Sequence, residues 1–212
     1  DGMIIKYNIT GEVEWAKGIG GNSYDFIESV TETSDGGIIA GGYFNSSSID
    51  LGKGVVLSNK ANGDGMIIKY SAEGEFEWAK GIGGDDGDSI KSVAETSDGG
   101  IIAGGKFRSS SIDLGKGVVL TNSSTYKDDG MIIKYSAKGE IEWAKGIGGS
   151  DDDYINSVAE TSDGGYVVGG YFKSSSIDLG NGVSISNKGS TDYPDGMIIK
   201  YSAEGEFEWA KG

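Results

Sequence analysis

Three short acidic loops recur along the chain, and their carboxylates could bind a metal ion. The second and third loops each carry three aspartates, whereas the first keeps only Asp25. Hard cations such as Ca²⁺ take several oxygen ligands from a flexible loop, which clustered Asp and Gly can supply. The candidate calcium ligands are Asp85, Asp86, Asp88, Asp151, Asp152 and Asp153. The alternative is a solvated turn whose aspartate accepts backbone hydrogen bonds, and no loop has the full EF-hand pattern.

Four tyrosines that differ between the copies are candidate ligand-binding residues. Tyr24 and Tyr154 stand in the acidic loops, and Tyr43 and Tyr171 stand at the end of an apolar run. An aromatic ring offers an apolar face next to a polar group, which suits the recognition of a sugar. Neutral surface positions differ between copies as well, so both interpretations stay open.

One tryptophan recurs at the same place in every copy, as Trp15, Trp78, Trp143 and Trp209. Exposed on a rim, these side chains could stack on sugar faces. Their regular placement inside a strand favours the alternative, in which each packs between neighbouring repeats.

Composition argues against catalysis. The chain has no histidine and no cysteine, so Ser-His-Asp, Cys-His and thiolate-zinc sites cannot form. Acids are plentiful, but nothing marks two of them as the paired carboxylates of a glycoside hydrolase. Asp35, Asp98 and Asp163 stand in Ser-Asp-Gly-Gly segments, where a carboxylate typically bonds the local backbone. We expect no enzymatic activity, with calcium as the one candidate cofactor.

The net charge of the chain restricts the classes of partner that it can bind. The chain has 18 basic and 33 acidic residues, for a formal net charge of −15. So acidic a chain repels phosphate backbones and anionic membrane surfaces. No apolar run approaches the roughly 18–20 residues that span a bilayer. We therefore expect neither nucleic-acid binding nor membrane insertion in this segment.

The heptapeptide DGMIIKY occurs four times, beginning at Asp1, Asp64, Asp129 and Asp195. Self-similarity at a spacing of about 65 residues indicates one supersecondary unit stacked on copies of itself. The repeats span 1–63, 64–128 and 129–194, with a partial fourth at 195–212. We interpret 1–212 as a single repeat array and expect it to be a segment of a larger propeller.

Within the second copy, four short runs of β-branched and alternating residues are predicted to be strands. These runs are 66–70, 75–82, 90–96 and 101–107. A further small hairpin is predicted to turn at 115–117. Four antiparallel strands in each repeat predict an all-β fold, a β-propeller built of four-stranded blades. A β-solenoid is the main rival, but its coils carry fewer strands per turn.

The repeat resembles the bacterial seven-bladed β-propeller repeat family. In the second copy the resemblance is carried by Asp64, Lys69, Gly74, Trp78, Gly83, Gly84, Asp98, Gly99 and Gly104. The resemblance implies a propeller within large exported or surface-attached bacterial proteins, where such repeats serve as scaffolds or binding platforms. It implies no particular activity, because propellers host many functions.

Three repeats are too few for a closed ring, since propellers hold about 4–8 blades. Either further blades lie outside this segment or chains associate to complete a ring. The partial unit 195–212 is expected to supply the first hairpin of an incomplete blade, through which the chain could self-associate. The predicted function is a non-catalytic extracellular or cell-surface scaffold with protein or glycan partners. The alternative is a carbohydrate-binding or calcium-dependent adhesive module.

Overall fold

The computed structural model describes residues 1–180, 182–189 and 193–212, and these residues form strands, turns and loops with no helix. Residues 190–192, in the loop between the third and fourth copies, lie outside the described residues. The strands are β1 Gly2–Tyr7, β2 Val13–Ile19, β3 Asp25–Glu32, β4 Ile38–Phe44, β5 Ser48–Asp50, β6 Val56–Ser58, β7 Asp64–Tyr70, β8 Phe76–Ile82, β9 Asp88–Glu95, β10 Ile101–Phe107, β11 Ser111–Asp113, β12 Val119–Thr121, β13 Asp129–Tyr135, β14 Ile141–Ile147, β15 Asp153–Glu160, β16 Tyr166–Phe172, β17 Ser176–Asp178, β18 Ser184–Ser186, β19 Asp195–Tyr201 and β20 Phe207–Lys211. No helix that could cross a membrane occurs in the part of the chain that the structure describes.

Three four-stranded antiparallel sheets form the body of the protein. Sheet I has the order β3-β4-β7-β8, sheet II β9-β10-β13-β14 and sheet III β15-β16-β19-β20. The all-β prediction and the repeated four-stranded antiparallel sheets are thus confirmed. The prediction that the four long strands of one copy form one sheet is wrong, because each sheet joins the last two long strands of one copy to the first two of the next. The described residues do not form a closed ring of sheets.

Along the chain, a short two-stranded hairpin is inserted between the second and third strands of each sheet. The pair β11–β12 is one of them, with Ile112 opposite Leu120 and its turn at 115–117 as predicted. The two side chains are buried, so the hairpin covers one edge of the core. It is an insertion that leaves the pairing of β10 with β13 intact.

The incomplete sheet lies at the opposite end of the chain from the predicted incomplete blade. The hairpin 195–212 forms β19 and β20, which pair with β16 and complete sheet III. The unpartnered hairpin is β1–β2, a two-stranded sheet at the N-terminus. The prediction of an incomplete unit at 195–212 is wrong because it assumed that each sheet begins with the heptapeptide strand. That strand is the third strand of its sheet.

Strand β10 shows why this sequence forms the centre of a sheet. Its two isoleucines, Ala103 and Phe107 are buried on both faces, and it pairs with β9 on one edge and β13 on the other. A strand covered on both faces requires apolar or small residues throughout instead of strict alternation. Ile155 and Val158 of sheet III pack directly over the Gly104 backbone, which has no side chain to keep them away.

The recurring tryptophans join neighbouring sheets. Trp78 of sheet I packs over Gly139 in a turn of sheet II, where an added Cβ would lie 2.9 Å from the indole. Trp15 and Trp143 make equivalent contacts with the next sheet along. Trp209 belongs to the last sheet and is exposed. The interpretation of the tryptophans as packing residues is confirmed for the three that have a following sheet.

A largely buried lysine forms an ion pair with the aspartate of each Ser-Asp-Gly-Gly turn. The Lys134 side chain is 1% exposed, and its Nζ lies 3.0 Å from Asp98 and 3.2 Å from Glu142. Asp98 also accepts hydrogen bonds from the Thr96 hydroxyl and the Gly100 N–H. Asp98 therefore bonds the local backbone as predicted, and it also neutralises Lys134, the equivalent of Lys69 in the next copy.

This arrangement predicts a loss of stability in acid. Burial raises the pKa of Asp98, but hydrogen bonds from Thr96, Gly100 and Lys134 outweigh it and bring the pKa down to about 2. Because the folded pKa lies below the unfolded value, the stabilisation is present above about pH 4 and is lost as the pH falls towards about 2. After discounting for the exposure of Asp98, we expect a loss of about 1 kcal/mol.

Urea unfolding of wild type and Asp98→Asn at several acidic pH values checks this expectation. The variant should lose less stability than wild type over the same range, because it has no carboxylate to protonate. Asp113→Asn is the matched control, since Asp113 is exposed at the end of β11 and its carboxylate, among the described residues, accepts a hydrogen bond from the Gly115 N–H alone. Identical acid slopes for wild type and Asp98→Asn would contradict the assignment.

Candidate functional site

Three cross-strand pairs occupy equivalent positions in the three sheets but differ in chemistry. The pairs are Phe26–Tyr43 in sheet I, Ser89–Lys106 in sheet II and Tyr154–Tyr171 in sheet III. Each pair joins the start of the first strand of its sheet to the end of the second. The flanking strands are nearly identical between copies, so the sheets place different functional groups at one fixed position. We call this row of pairs the variable strip.

In sheet I the variable strip forms an aromatic stack on the surface. The rings of Tyr24 and Phe26 lie 6.5 Å apart and only 5° from parallel, and Tyr43 follows at 6.3 Å from Phe26. Tyr24 is 73% exposed and Phe26 is 51% exposed. Both tyrosines are candidate ligand-binding residues from the sequence, whereas Phe26 is not. Its place opposite Tyr43 depends on strand register, which a list of variable residues does not reveal.

A glycine makes room for the Tyr43 ring. The ring lies against Gly63, where a Cβ would collide with it, and the Tyr43 hydroxyl donates a 3.1 Å hydrogen bond to the Asn62 carbonyl oxygen. The residue equivalent to Gly63 in the next copy is Asp128, which contacts Lys106 instead of an aromatic ring. The two positions therefore change together between the sheets. Sheet I has an aromatic ring against a glycine, and sheet II has a lysine against a carboxylate.

Asp128 is the centre of a polar network between sheets II and III. Its side chain is fully buried and accepts hydrogen bonds from Lys106 at 3.0 Å, Arg108 at 3.0 Å and the Tyr154 hydroxyl at 2.5 Å. Burial raises the pKa of Asp128, but these donors outweigh it and hold the pKa below its usual value. Asp128 is thus a charged acceptor fixed by three donors.

The tyrosines of sheet III are part of the same network. The rings of Tyr154 and Tyr171 stack at 4.8 Å, and the Lys106 ammonium lies 5.2 Å from the centre of the Tyr154 ring. Burial and the neighbouring Asp128 raise the pKa of Tyr154. Of the four candidate tyrosines, Tyr24 and Tyr43 thus belong to an open stack and Tyr154 and Tyr171 to an interlocked one.

A cavity of about 500 Å³ lies between the variable strips of sheets I and II. Sheet I contributes Phe26, Glu28 and Tyr43, and sheet II with its adjoining loops contributes Asp86, Asp88, Ser89, Lys91, Lys106 and Arg108. Asn62 also lines it. The Ser89 hydroxyl oxygen is buried and has no hydrogen-bond partner among the described residues. The cavity combines aromatic faces with donors and acceptors, as small-molecule sites do.

The acidic loops hold their carboxylates through hydrogen bonds within the protein. Asp88 is buried and accepts from the Gly84, Arg108 and Ser109 N–H groups and, at 2.6 Å, from the Ser109 hydroxyl. Asp153 and Asp25 bond the hydroxyls of their own serines in the same way at 2.6 Å. The aspartate that all three loops share is therefore a clasp that ties the loop to the strand end.

The other loop aspartates point to different partners. Asp85 accepts from the backbone and hydroxyl of Ser110 at 2.7 Å, and Asp86 accepts from Asn62 at 3.1 Å. The Lys127 ammonium lies 2.6 Å from Asp151 and 3.5 Å from Asp152. Among the residues that the structure describes, no three metal-ligating side chains are grouped to hold an ion. Calcium binding at these loops stays a prediction.

Known proteins resemble parts of this chain. No protein-family model matches the chain. The regulatory protein FlaEY of Caulobacter vibrioides is 29% identical over 133 residues, which are 63% of this chain and 14% of that protein. A crystal structure of a protein of unknown function from Dyadobacter fermentans aligns with 94% of this chain and 78% of its own, at 13% identity and a TM-score of 0.32. That score does not establish a shared fold, and membership of the seven-bladed repeat family stays a prediction.

Proposed function

We propose that the chain is a non-catalytic interaction scaffold, an arc of a β-propeller that assembles by adding further sheets of its own kind. The observation that carries this proposal is a contrast between identical sequences. Met3 of β1 is 67% exposed, whereas Met66 and Met131, in the same heptapeptide, are fully buried. Likewise Tyr7 is 55% exposed and Tyr70 is 3% exposed. The same residues that form the core elsewhere are uncovered at the N-terminal hairpin.

The cause lies in the strand pairing. Strand β7 lies between β4 and β8, whereas the identical strand β1 pairs with β2 alone. One edge of β1 therefore presents unpaired backbone groups next to an apolar face. Such an edge accepts an incoming strand.

The chain itself specifies the partner. In sheets I, II and III the heptapeptide strand pairs with β4, β10 and β16, each with a Gly-Gly at its centre, in one antiparallel register. The partner that fits β1 is accordingly a hairpin of the β9–β10 type, carried by another stretch of these repeats. Among the residues that the structure describes, the three hairpins of this type are already paired with heptapeptide strands.

The far end of the array is open in a complementary way. Gly169 of sheet III has no side chain within contact distance of where its Cβ would lie, although the equivalent Gly104 is covered by Ile155 and Val158. At the near end Val30, the equivalent of the buried Val158, is exposed. An isoleucine–valine layer at one end and a bare glycine face at the other allow head-to-tail extension.

The lack of histidine and cysteine supports a role without catalysis. The strongly acidic surface supports protein or glycan partners in preference to nucleic acid. A location outside the bacterial cell or on its surface is part of the proposal and rests on the resemblance of the repeat alone.

Backbone amide exchange followed by NMR tests strand addition, because assignments separate the four identical heptapeptides. We expect amides of β1 Gly2–Tyr7 to exchange faster than those of β19 in the chain alone. Adding a peptide of sequence 85–128 should slow exchange in β1 and leave β19 unchanged. The control peptide carries Ile102→Pro, which removes one ladder donor from the pairing strand.

Two outcomes would contradict the proposal. If β1 is as protected as β19 without the peptide, its edge is not open. If the peptide slows exchange nowhere, or equally well with Ile102→Pro, then β1 does not accept a strand in the register of the complete sheets.

A further inference from the structure

We propose that the cavity between the variable strips of sheets I and II binds a neutral saccharide. Both of these sheets are complete, so the site does not depend on the open ends of the array. Four features of the cavity carry the inference, namely its aromatic wall, its charge balance, an unpartnered hydroxyl and its difference from the neighbouring sheet junction.

The aromatic wall supplies an apolar surface at the mouth of the cavity. Phe26 and Tyr43 line the cavity, and Tyr24 continues the stack outwards. Tyr24 and Phe26 are exposed, and a protein rarely exposes adjacent aromatic rings unless they contact a partner. The faces of aromatic rings are electronegative, so they attract the weakly positive C–H groups on the flat side of a sugar ring.

The charges around the cavity cancel. Glu28, Asp86 and Asp88 are matched by Lys91, Lys106 and Arg108. Lys91 lies 2.8 Å from Glu28, and Arg108 is held by Asp128 outside the cavity. All three bases are already paired with carboxylates, Lys91 with Glu28 and both Lys106 and Arg108 with Asp128, which disfavours an anionic ligand. A neutral ligand with many hydroxyls can instead donate to the carboxylates and accept from the bases.

The Ser89 hydroxyl provides an independent sign of a missing ligand. Ser89 is 3% exposed, its oxygen is buried, and no described residue bonds it. A buried hydroxyl without a partner costs about 1–3 kcal/mol, so native proteins rarely keep one. Ser89 lines the cavity, and rotation of its side chain about χ1 would turn the hydroxyl towards a ligand there.

The corresponding junction between sheets II and III is occupied by the protein itself. There Tyr154 takes the place of Ser89 and bonds Asp128, and Lys106 lies over its ring. Two copies of the same repeat thus give one junction filled by a tyrosine and one with a serine and an open cavity. The cavity is consequently caused by the particular side chains at these positions and is not a property of every junction between repeats.

Calorimetric titration of the whole chain with a panel of oligosaccharides tests the inference. The panel contains neutral cello-, manno-, galacto- and chito-oligosaccharides together with acidic oligogalacturonates. We expect at least one neutral member to bind. Phe26→Ser, which installs the residue found at the equivalent position of sheet II, should weaken that binding by about three- to tenfold, and Tyr24→Ala by a similar factor. Ser89→Ala should weaken it as well.

The substituted aromatic side chains are exposed, so thermal melts are expected to show that both variants fold. Tyr193→Ala is the matched control, because Tyr193 is an equally exposed tyrosine outside the cavity lining, and it should bind like wild type. The inference is overturned if no neutral member of the panel binds. It is also overturned if only the acidic members bind, or if Phe26→Ser and Tyr24→Ala bind as tightly as wild type.

Discussion

Replacing Gly104 with alanine is expected to destabilise the protein by about 2–3 kcal/mol, whereas the same replacement at Gly169 should change stability by less than about 0.5 kcal/mol. An alanine Cβ at Gly104 would lie 2.5 Å from Val158 Cγ1 and 2.7 Å from Ile155 Cγ2. Both contacts are far too short, and both side chains are buried in the core between sheets II and III. Sheet III would have to move away from sheet II.

Gly169 is the matched control because it occupies the same position in sheet III and has nothing within 4 Å of its virtual Cβ. Alanine also restricts the unfolded chain more than glycine does, which favours a neutral or slightly stabilising effect there. Urea unfolding of the two variants gives the comparison. Equal costs at the two sites would mean that the close stacking of sheets II and III does not determine stability.

Replacing Asp88 with alanine should destabilise the protein by about 3–4 kcal/mol. The Asp88 carboxylate is 1% exposed and accepts three backbone N–H groups as well as the Ser109 hydroxyl. Its removal leaves these donors buried without partners. Asp85→Ala in the same loop is the control and should cost less than about 1 kcal/mol, because its bonds to Ser110 lie at the surface, where water can replace them.

The Asp88→Ala variant also distinguishes a structural role of Asp88, the clasp, from a role as a calcium ligand. A clasp predicts that wild type and Asp85→Ala melt at the same temperature with Ca²⁺ as with chelator. If Ca²⁺ raises the melting temperature of wild type but not of Asp88→Ala, Asp88 is a ligand. That result would contradict the clasp as the main role of the shared aspartate.

The pH dependence of Asp88 runs opposite to that of Asp98. Burial raises the pKa of Asp88 to about 6, in spite of the hydrogen bonds that it accepts. With the folded pKa above the unfolded value, the contribution to stability is full below about pH 4 and is lost as the pH rises to about 6. Asp153 has the same cause and the same value. The free energy of unfolding is therefore expected to be highest in mild acid. It falls at lower pH as Asp98 is protonated and at higher pH as Asp88 is deprotonated.

The amino-acid sequence determined the strands and turns because these depend on neighbouring residues. Alternation and β-branched runs placed β7, β8, β9 and β10 within about two residues of their observed bounds, since side-chain periodicity and turn glycines act locally. The packing role of Trp78 was also within reach, because it recurs at one place in every copy. No local signal, however, told which strands of successive copies share a sheet.

Tertiary structure alone decided how the copies combine and where function can lie. A repeat has no intrinsic starting point, so only the pairing of β16 with β19 showed that the C-terminal hairpin completes a sheet and that β1–β2 is the unpartnered one. Register brought Phe26 opposite Tyr43, and stacking of sheets I and II enclosed Ser89 beside them. These contacts join residues far apart in the chain. Their energy depends on the arrangement of whole sheets, which no window of sequence contains.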